Sequence, residues 1–190
     1  MPGFATLPIA WEPLLTHSVA VTVHQSHDTR SLQRFRPTHP VVAAFGWFGI
    51  TFLAAVIGSQ AGPGSWYAAM AKPSWNPPNW VFGPVWTYLY LTMAWAAWRV
   101  WRGGGWTNRR TPLLMYLVQL ILNAFWSPIF FGLQQPGFAF AEIVLLWGTL
   151  AGTLFLFLRV DRLAGILLVP YLAWVSFAAF LNFTLWRLNP

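Results

Sequence analysis

Apolar residues run along this chain in five long blocks, separated by short polar or Pro/Gly-rich breaks. The blocks cover about residues 41–60, 80–101, 112–133, 137–158 and 163–186. Each is near the roughly 20 residues that carry a helix across a ~30 Å hydrocarbon core. Backbone N–H and C=O groups in lipid must be satisfied within the segment, so each block is read as a helix. None shows the period-two alternation that a strand barrel needs. The pattern predicts an all-α membrane protein, a bundle of five transmembrane helices.

Residues 1–40 carry no sustained apolar period. They hold all four His residues (His17, His24, His27, His39) and an arginine cluster, Arg30, Arg34 and Arg36. This stretch lacks the basic start, clean apolar run and small-residue cleavage site of a secretory signal. It is expected to be a disordered N-terminal tail, distinct from a membrane domain over 41–190. His24-x-x-His27 offers two ligands, too few for a metal site.

The breaks between blocks differ. Those at 134–136, 160–162 and 103–111 are short, the last with three glycines. The break at 61–79 is longer and contains Trp66, Tyr67, Lys72, Pro73, Trp75, Asn76, Pro77 and Pro78. A connection rich in aromatics and prolines is ordered more often than one of Ser and Gly. It is expected to form a structured lid between the first two spans, over one end of the bundle.

Composition agrees with a lipid environment. The 190 residues are 57% hydrophobic and only 8% charged, against about 25% charged in soluble domains. The net charge of +7 is dispersed between the blocks, which argues against a nucleic-acid surface. With the N-terminus on the cytoplasmic-equivalent side, that side receives Arg30, Arg34, Arg36, Arg99, Arg102, Arg109, Arg110, Arg159 and Arg162. The other side receives Lys72 and Arg187, so the excess of basic loops favours N-in, C-out. The chain has no Cys, which excludes thiol chemistry and disulfides.

Fourteen Trp and sixteen Phe carry the candidate chemistry. Indoles belong either at membrane interfaces or in ligand pockets, where a ring and one N–H are both used. Here they crowd towards one end of the spans, around 66–90, whereas an interfacial belt would occupy both ends. Trp86 and Tyr90 are four apart and share a helix face. Gln119 and Asn123 also share a face, suited either to interhelical hydrogen bonds or to a site. Glu142 is an acid inside a span and so a functional candidate, although it lies near enough to Pro136-Gly137 to reach water or a helix N-terminus. Gly148-x-x-x-Gly152 permits close helix packing, within the bundle or across a dimer seam. Trp174 and Ala178 pair a large ring with a small neighbour four residues on.

Several of these segments, in order and spacing, closely resemble the translocator protein family. Its members are called tryptophan-rich sensory proteins in bacteria and peripheral-type benzodiazepine receptors in animals. The resemblance rests on 66–86, on Gln119…Asn123…Trp126-x-Pro128-x-Phe130-Phe131-Gly132, and on Pro170-Tyr171-Leu172-Ala173-Trp174…Leu181-Asn182-Phe183…Trp186-Arg187. It covers about residues 42–190. It implies a five-helix bundle, often a homodimer, that binds porphyrins such as protoporphyrin IX, and in animals cholesterol and synthetic drugs. By that similarity the ligand site comprises Trp66, Trp75, Trp80, Trp86, Tyr90, Asn123, Trp126, Trp174 and Ala178, with Glu142 at a position where relatives can carry Asp. The family's sterol pattern wants a Tyr where this chain has Phe183.

Three functional readings follow. The first is a sensor or carrier that holds a flat amphipathic ligand, a tetrapyrrole above all, with no cofactor required. The second is an enzyme that degrades porphyrin in light, with Trp86 and Trp174 as electron donors. No nucleophile–base pair or metal cluster supports conventional catalysis. The third is a transporter, for which a charged relay is missing, Glu142 being the sole acid inside a span.

Overall fold

Where the apolar blocks run, the chain is helical. The computed structural model describes residues 39–190, and among them only helices and turns occur. The tail expected over 1–40, including His24-x-x-His27, lies outside the described residues except for His39 and Pro40. The elements are α1 (Pro40–Ser59), a short α2 (Ser65–Ala69), a 3-10 turn (Asn79–Val81), α3 (Phe82–Arg102) and α4 (Gly105–Ser127). A π-type turn (Pro128–Gly132) extends α4, and α5 (Pro136–Val160), α6 (Arg162–Leu167) and α7 (Val169–Leu188) follow. Proline opens α1, α5, α7 and the π-type turn. At the first helical turn its missing N–H costs nothing.

Four helical runs are long and apolar enough to cross a bilayer: Pro40–Ser59, Gly105–Gly132, Pro136–Val160 and Arg162–Leu188. The described residues therefore form an all-α, multi-pass membrane domain. α3 has 21 residues but is less apolar, because Trp86, Tyr88, Tyr90, Trp95, Trp98 and Trp101 lie along it with two arginines.

Two boundaries differ from the sequence pattern. The expected break at 103–111 holds a short helical turn that starts at Gly105 and is interrupted at Arg109, after which the long part of α4 runs on through Pro112. A left-handed φ of 64° at Gly105 makes this tight reversal, a conformation glycine adopts without steric cost. Pro112 is then inside α4, where its ring has no N–H to bond. Backbone angles at Arg109 (φ −127°, ψ 23°) open the preceding turn and absorb the conflict. The last block is likewise divided into α6 and α7, just before Pro170.

α4 packs most extensively on α5, α5 on α7, and α1 on both α3 and α4. Lipid gives helices little hydrophobic reason to associate, so close packing and polar ties must hold the bundle. Fully buried Ala94, Ala96 and Ala97 let α3 approach its neighbours. At Gly152 a Cβ would lie 3.0 Å from Met115 Cε, whereas at Gly148 it would meet nothing within 4 Å. Half of the small-residue pair is thus used inside the bundle. The polar ties are Thr51 Oγ1 with the Tyr116 hydroxyl at 2.7 Å, and Trp98 Nε1 donating to the Pro40 carbonyl at 2.9 Å. At the arginine-rich end, Arg99 pairs with Asp161 at 2.9 Å, and Asp161 caps α6 by accepting from the Ala164 N–H. Partly exposed pairs of this kind add up to about 1 kcal/mol, so their main effect is to set the α5–α6 turn.

Candidate ligand cavity

Three helices bring aromatic rings to one end of the bundle. Trp86 stacks on Tyr90 within α3, ring centroids 5.5 Å apart, as their i, i+4 spacing requires. Trp126 of α4 stacks on Phe130 at 5.1 Å, across the start of the π-type turn. Trp174 of α7 meets Phe82 edge-on at 5.8 Å and Phe177 at 5.5 Å.

Polar groups between these rings are paired with one another. The Tyr90 hydroxyl donates to Asn123 Oδ1 at 2.6 Å, and Asn123 Nδ2 donates to the Tyr171 hydroxyl at 2.8 Å. Trp126 Nε1 donates to Asn182 Oδ1 at 3.1 Å, and Asn182 Nδ2 donates to the Pro136 carbonyl at 2.8 Å. Two asparagines therefore tie α3, α4, α5 and α7 together.

These walls enclose a cavity of about 610 Å³, within the range of small-molecule sites. Six of the ten residues expected at the site line it: Trp86, Tyr90, Asn123, Trp126, Trp174 and Ala178. The other four lie elsewhere. Trp66 packs edge-on against Phe130 at 5.9 Å and lines a separate open groove with Trp186. Trp75 stacks on Phe180 at 5.3 Å, and Trp80 is 75% exposed. Glu142 is buried one position before the lining residue Ile143, and among the described residues neither carboxylate oxygen has a hydrogen-bond partner. It lies beyond the first turn of α5 and does not cap it. Gln119, also expected to bond between helices, is fully buried, and neither amide atom has a partner among the described residues.

The 61–79 connection packs on this end. Tyr67 is buried and lines the cavity, and its hydroxyl donates to Asn76 Oδ1 at 3.2 Å. Burial pushes that hydroxyl's pKa up from its ordinary value, against the opposing pull of the Asn76 bond. Lys72 donates to the Ala68 and Met70 carbonyls and lies 4.7 Å over the Tyr67 ring. Asn189, past the end of α7, clasps Ala71 from both sides, accepting from its N–H at 2.9 Å and donating to its carbonyl at 3.0 Å.

The model of the TspO/MBR family matches residues 40–187, which include the whole of this site. The chain belongs to that family. It is 45% identical over 150 residues to the tryptophan-rich protein TspO of Chlorobaculum tepidum, covering 77% of this chain and 90% of the relative. It is 43% identical over 155 residues to the translocator protein of Homo sapiens, covering 79% and 92%. To the protein CrtK of Rhodobacter capsulatus it is 42% identical over 149 residues, covering 75% and 92%. Membership makes this TspO/MBR protein an integral membrane relative of the translocator and tryptophan-rich sensory proteins.

Several cavity residues carried no signal in the pattern. Phe52, Ala55 and Val56 of α1 line the cavity, yet α1 reads as a plain apolar run. Tyr171 and Asn182, which complete the two asparagine networks, stood in the motif of the last block without an assigned role. Pairing Asn123 and Trp126 of α4 with Tyr171 and Asn182 of α7 needs the helix packing itself.

Proposed function

We propose that this TspO/MBR protein holds a porphyrin-type tetrapyrrole in the aromatic cavity, acting as a sensor or carrier. The observation that carries this is the wall built by Trp86, Trp126 and Trp174 around about 610 Å³. Flat rings stack on indoles, and the hydrogen-bonded Tyr90 and Asn123 supply polar contacts for a substituted rim. In this reading α3 is a fifth span, which puts the termini on opposite faces, the N-terminus on the cytoplasmic-equivalent side. The 61–79 connection is the lid, pinned by Asn189. Homodimer formation has its support in Gly148, where an approaching helix would meet free space. Sterol is the weaker ligand class, since Phe183 packs on Phe140 and Trp186 and offers no hydroxyl.

Light-driven breakdown of the porphyrin is the second reading, with molecular oxygen as the oxidant. Its support is that Trp86 and Trp174, the two candidate electron donors, both line the cavity. Absorbance titration of the detergent-purified protein with protoporphyrin IX tests both. A saturable shift of the porphyrin band in darkness is expected of the binding site. A new absorbing product that forms only in light, with oxygen present, would establish turnover; no saturable shift would overturn the binding reading.

A further inference from the structure

The cavity is closed towards α5 and α7, where Ile143, Leu146 and Val175 are 2%, 2% and 1% exposed. On the opposite side some of its lining residues are open, as are Ser59, Gly62, Pro63 and Asn79 towards the 61–79 connection. Phe52 and Val56 of α1 are 37% and 55% exposed, and Thr87 of α3 is exposed as well. Phe52 lies in the second half of a membrane-spanning helix and Thr87 in the second turn of α3. What they face at that depth is lipid rather than water.

The geometry points to a lateral portal: a membrane-dissolved ligand reaches the cavity through the seam between α1 and α3, and Phe52 closes it. The Phe52 ring rests 6.5 Å from that of Tyr90, so it stands between the lipid and the paired Tyr90–Asn123 group. The hydrogen bonds of α1 to its neighbours lie at Pro40 and Thr51. Beyond Thr51 its remaining side-chain bond, from Ser59, goes to the Val56 carbonyl of the same helix. Among the described residues the second half of α1 is therefore held by packing, which includes Gly58 beside the Ala124 carbonyl on α4, where a Cβ would lie 3.7 Å away. Packing contacts can part and re-form without leaving a polar group unpaired in lipid. The seam with α3 is then the side free to open, and an apolar ring is the natural closure for an opening onto hydrocarbon.

This portal rests on the tetrapyrrole reading, and kinetics separates the two. The test is stopped-flow quenching by protoporphyrin IX of the protein in phosphatidylcholine nanodiscs, in darkness, for Phe52→Ala and Phe52→Trp. A residue that only touches bound ligand alters dissociation, whereas a gate alters association and dissociation in the same direction. Phe52→Ala is expected to raise both rate constants, association by about tenfold, as for other gating residues. Phe52→Trp keeps the wall filled and is expected to slow both. Association unchanged in both variants would overturn the portal. Faster association in Asn189→Ala instead would route the ligand past the 61–79 connection. Absence of saturable quenching in the unmodified protein would overturn the tetrapyrrole reading and the portal with it.

Discussion

Tyr90 and Asn123 are joined at 2.6 Å, hydroxyl to amide oxygen, across the α3–α4 seam. The same Asn123 amide donates to the Tyr171 hydroxyl on α7 at 2.8 Å, so one side chain couples three helices beside the cavity. Replacing it by an apolar residue of similar size leaves two phenols without their partner. Asn123→Leu is expected to lower stability by about 1–2 kcal/mol, more than Tyr90→Phe or Tyr171→Phe at roughly 0.6 kcal/mol each. Reversible unfolding in mixed micelles measures this. Equal effects of all three variants would mean that the amide is not the shared partner.

Ala178 lines the cavity one turn after Trp174. Ala178→Leu is expected to weaken protoporphyrin IX binding by about tenfold or more, since a well-packed site has little room for added methylenes. Helical circular dichroism should not change. Affinity equal to that of the unmodified protein would take α7 out of the site.

Glu142 is buried beside the cavity, with no hydrogen-bond partner among the described residues for either carboxylate oxygen. Glu142→Gln keeps its shape and removes the cost of any buried charge. Porphyrin affinity within about twofold of the unmodified protein is expected, with stability equal or higher. A large loss of affinity would assign the carboxylate a direct ligand contact.

Four of the spans were legible because lipid imposes one rule on the backbone, and that rule marks whole blocks. The start of α4 was legible only in part: Pro112 reads as a helix start, but the short helical turn from Gly105 to the open residue Arg109 before it has no mark in the pattern. The aromatic composition of the site could be read from Trp86, Tyr90, Trp126 and Trp174, because i, i+4 spacing orients side chains within one helix. Contributions between helices could not. Phe52 has no sequence mark, and the placement of Trp80 in the open rather than in the cavity depends on how the 3-10 turn leads into α3. Glu142 shows the same limit, since its depth follows from α5 packing and not from its distance to Pro136.

Gly165 in α6 lies against α5 so closely that a Cβ there would sit 2.5 Å from Leu158 Cδ2 and 2.7 Å from the Leu158 backbone nitrogen. On propensity alone Gly165→Ala would gain up to about 1 kcal/mol. The steric conflict with backbone outweighs this, and a net loss of about 1–3 kcal/mol is expected. Thermal unfolding of the purified protein decides the sign. A stabilised variant would show that the α5–α6 turn can shift freely.

Asn189 holds the 61–79 connection through two hydrogen bonds to Ala71. Asn189→Ala is expected to speed amide exchange of Ala71 and its neighbours by roughly tenfold, the equivalent of about 1.4 kcal/mol of local stability, with the spans unaffected. Exchange-coupled mass spectrometry over this segment reads the difference. Unchanged protection would place the anchoring of the connection in its aromatic contacts, such as Trp75 on Phe180.

The central claim is that the cavity between α1, α3, α4 and α7 is the tetrapyrrole site. A structure of the protein with protoporphyrin IX, grown and collected in darkness, tests it most directly. The ring is expected between Trp86 and Trp174, with its rim near Tyr90 and Asn123. A porphyrin in the groove beside Trp66 and Trp186, with the aromatic cavity unchanged, would contradict it.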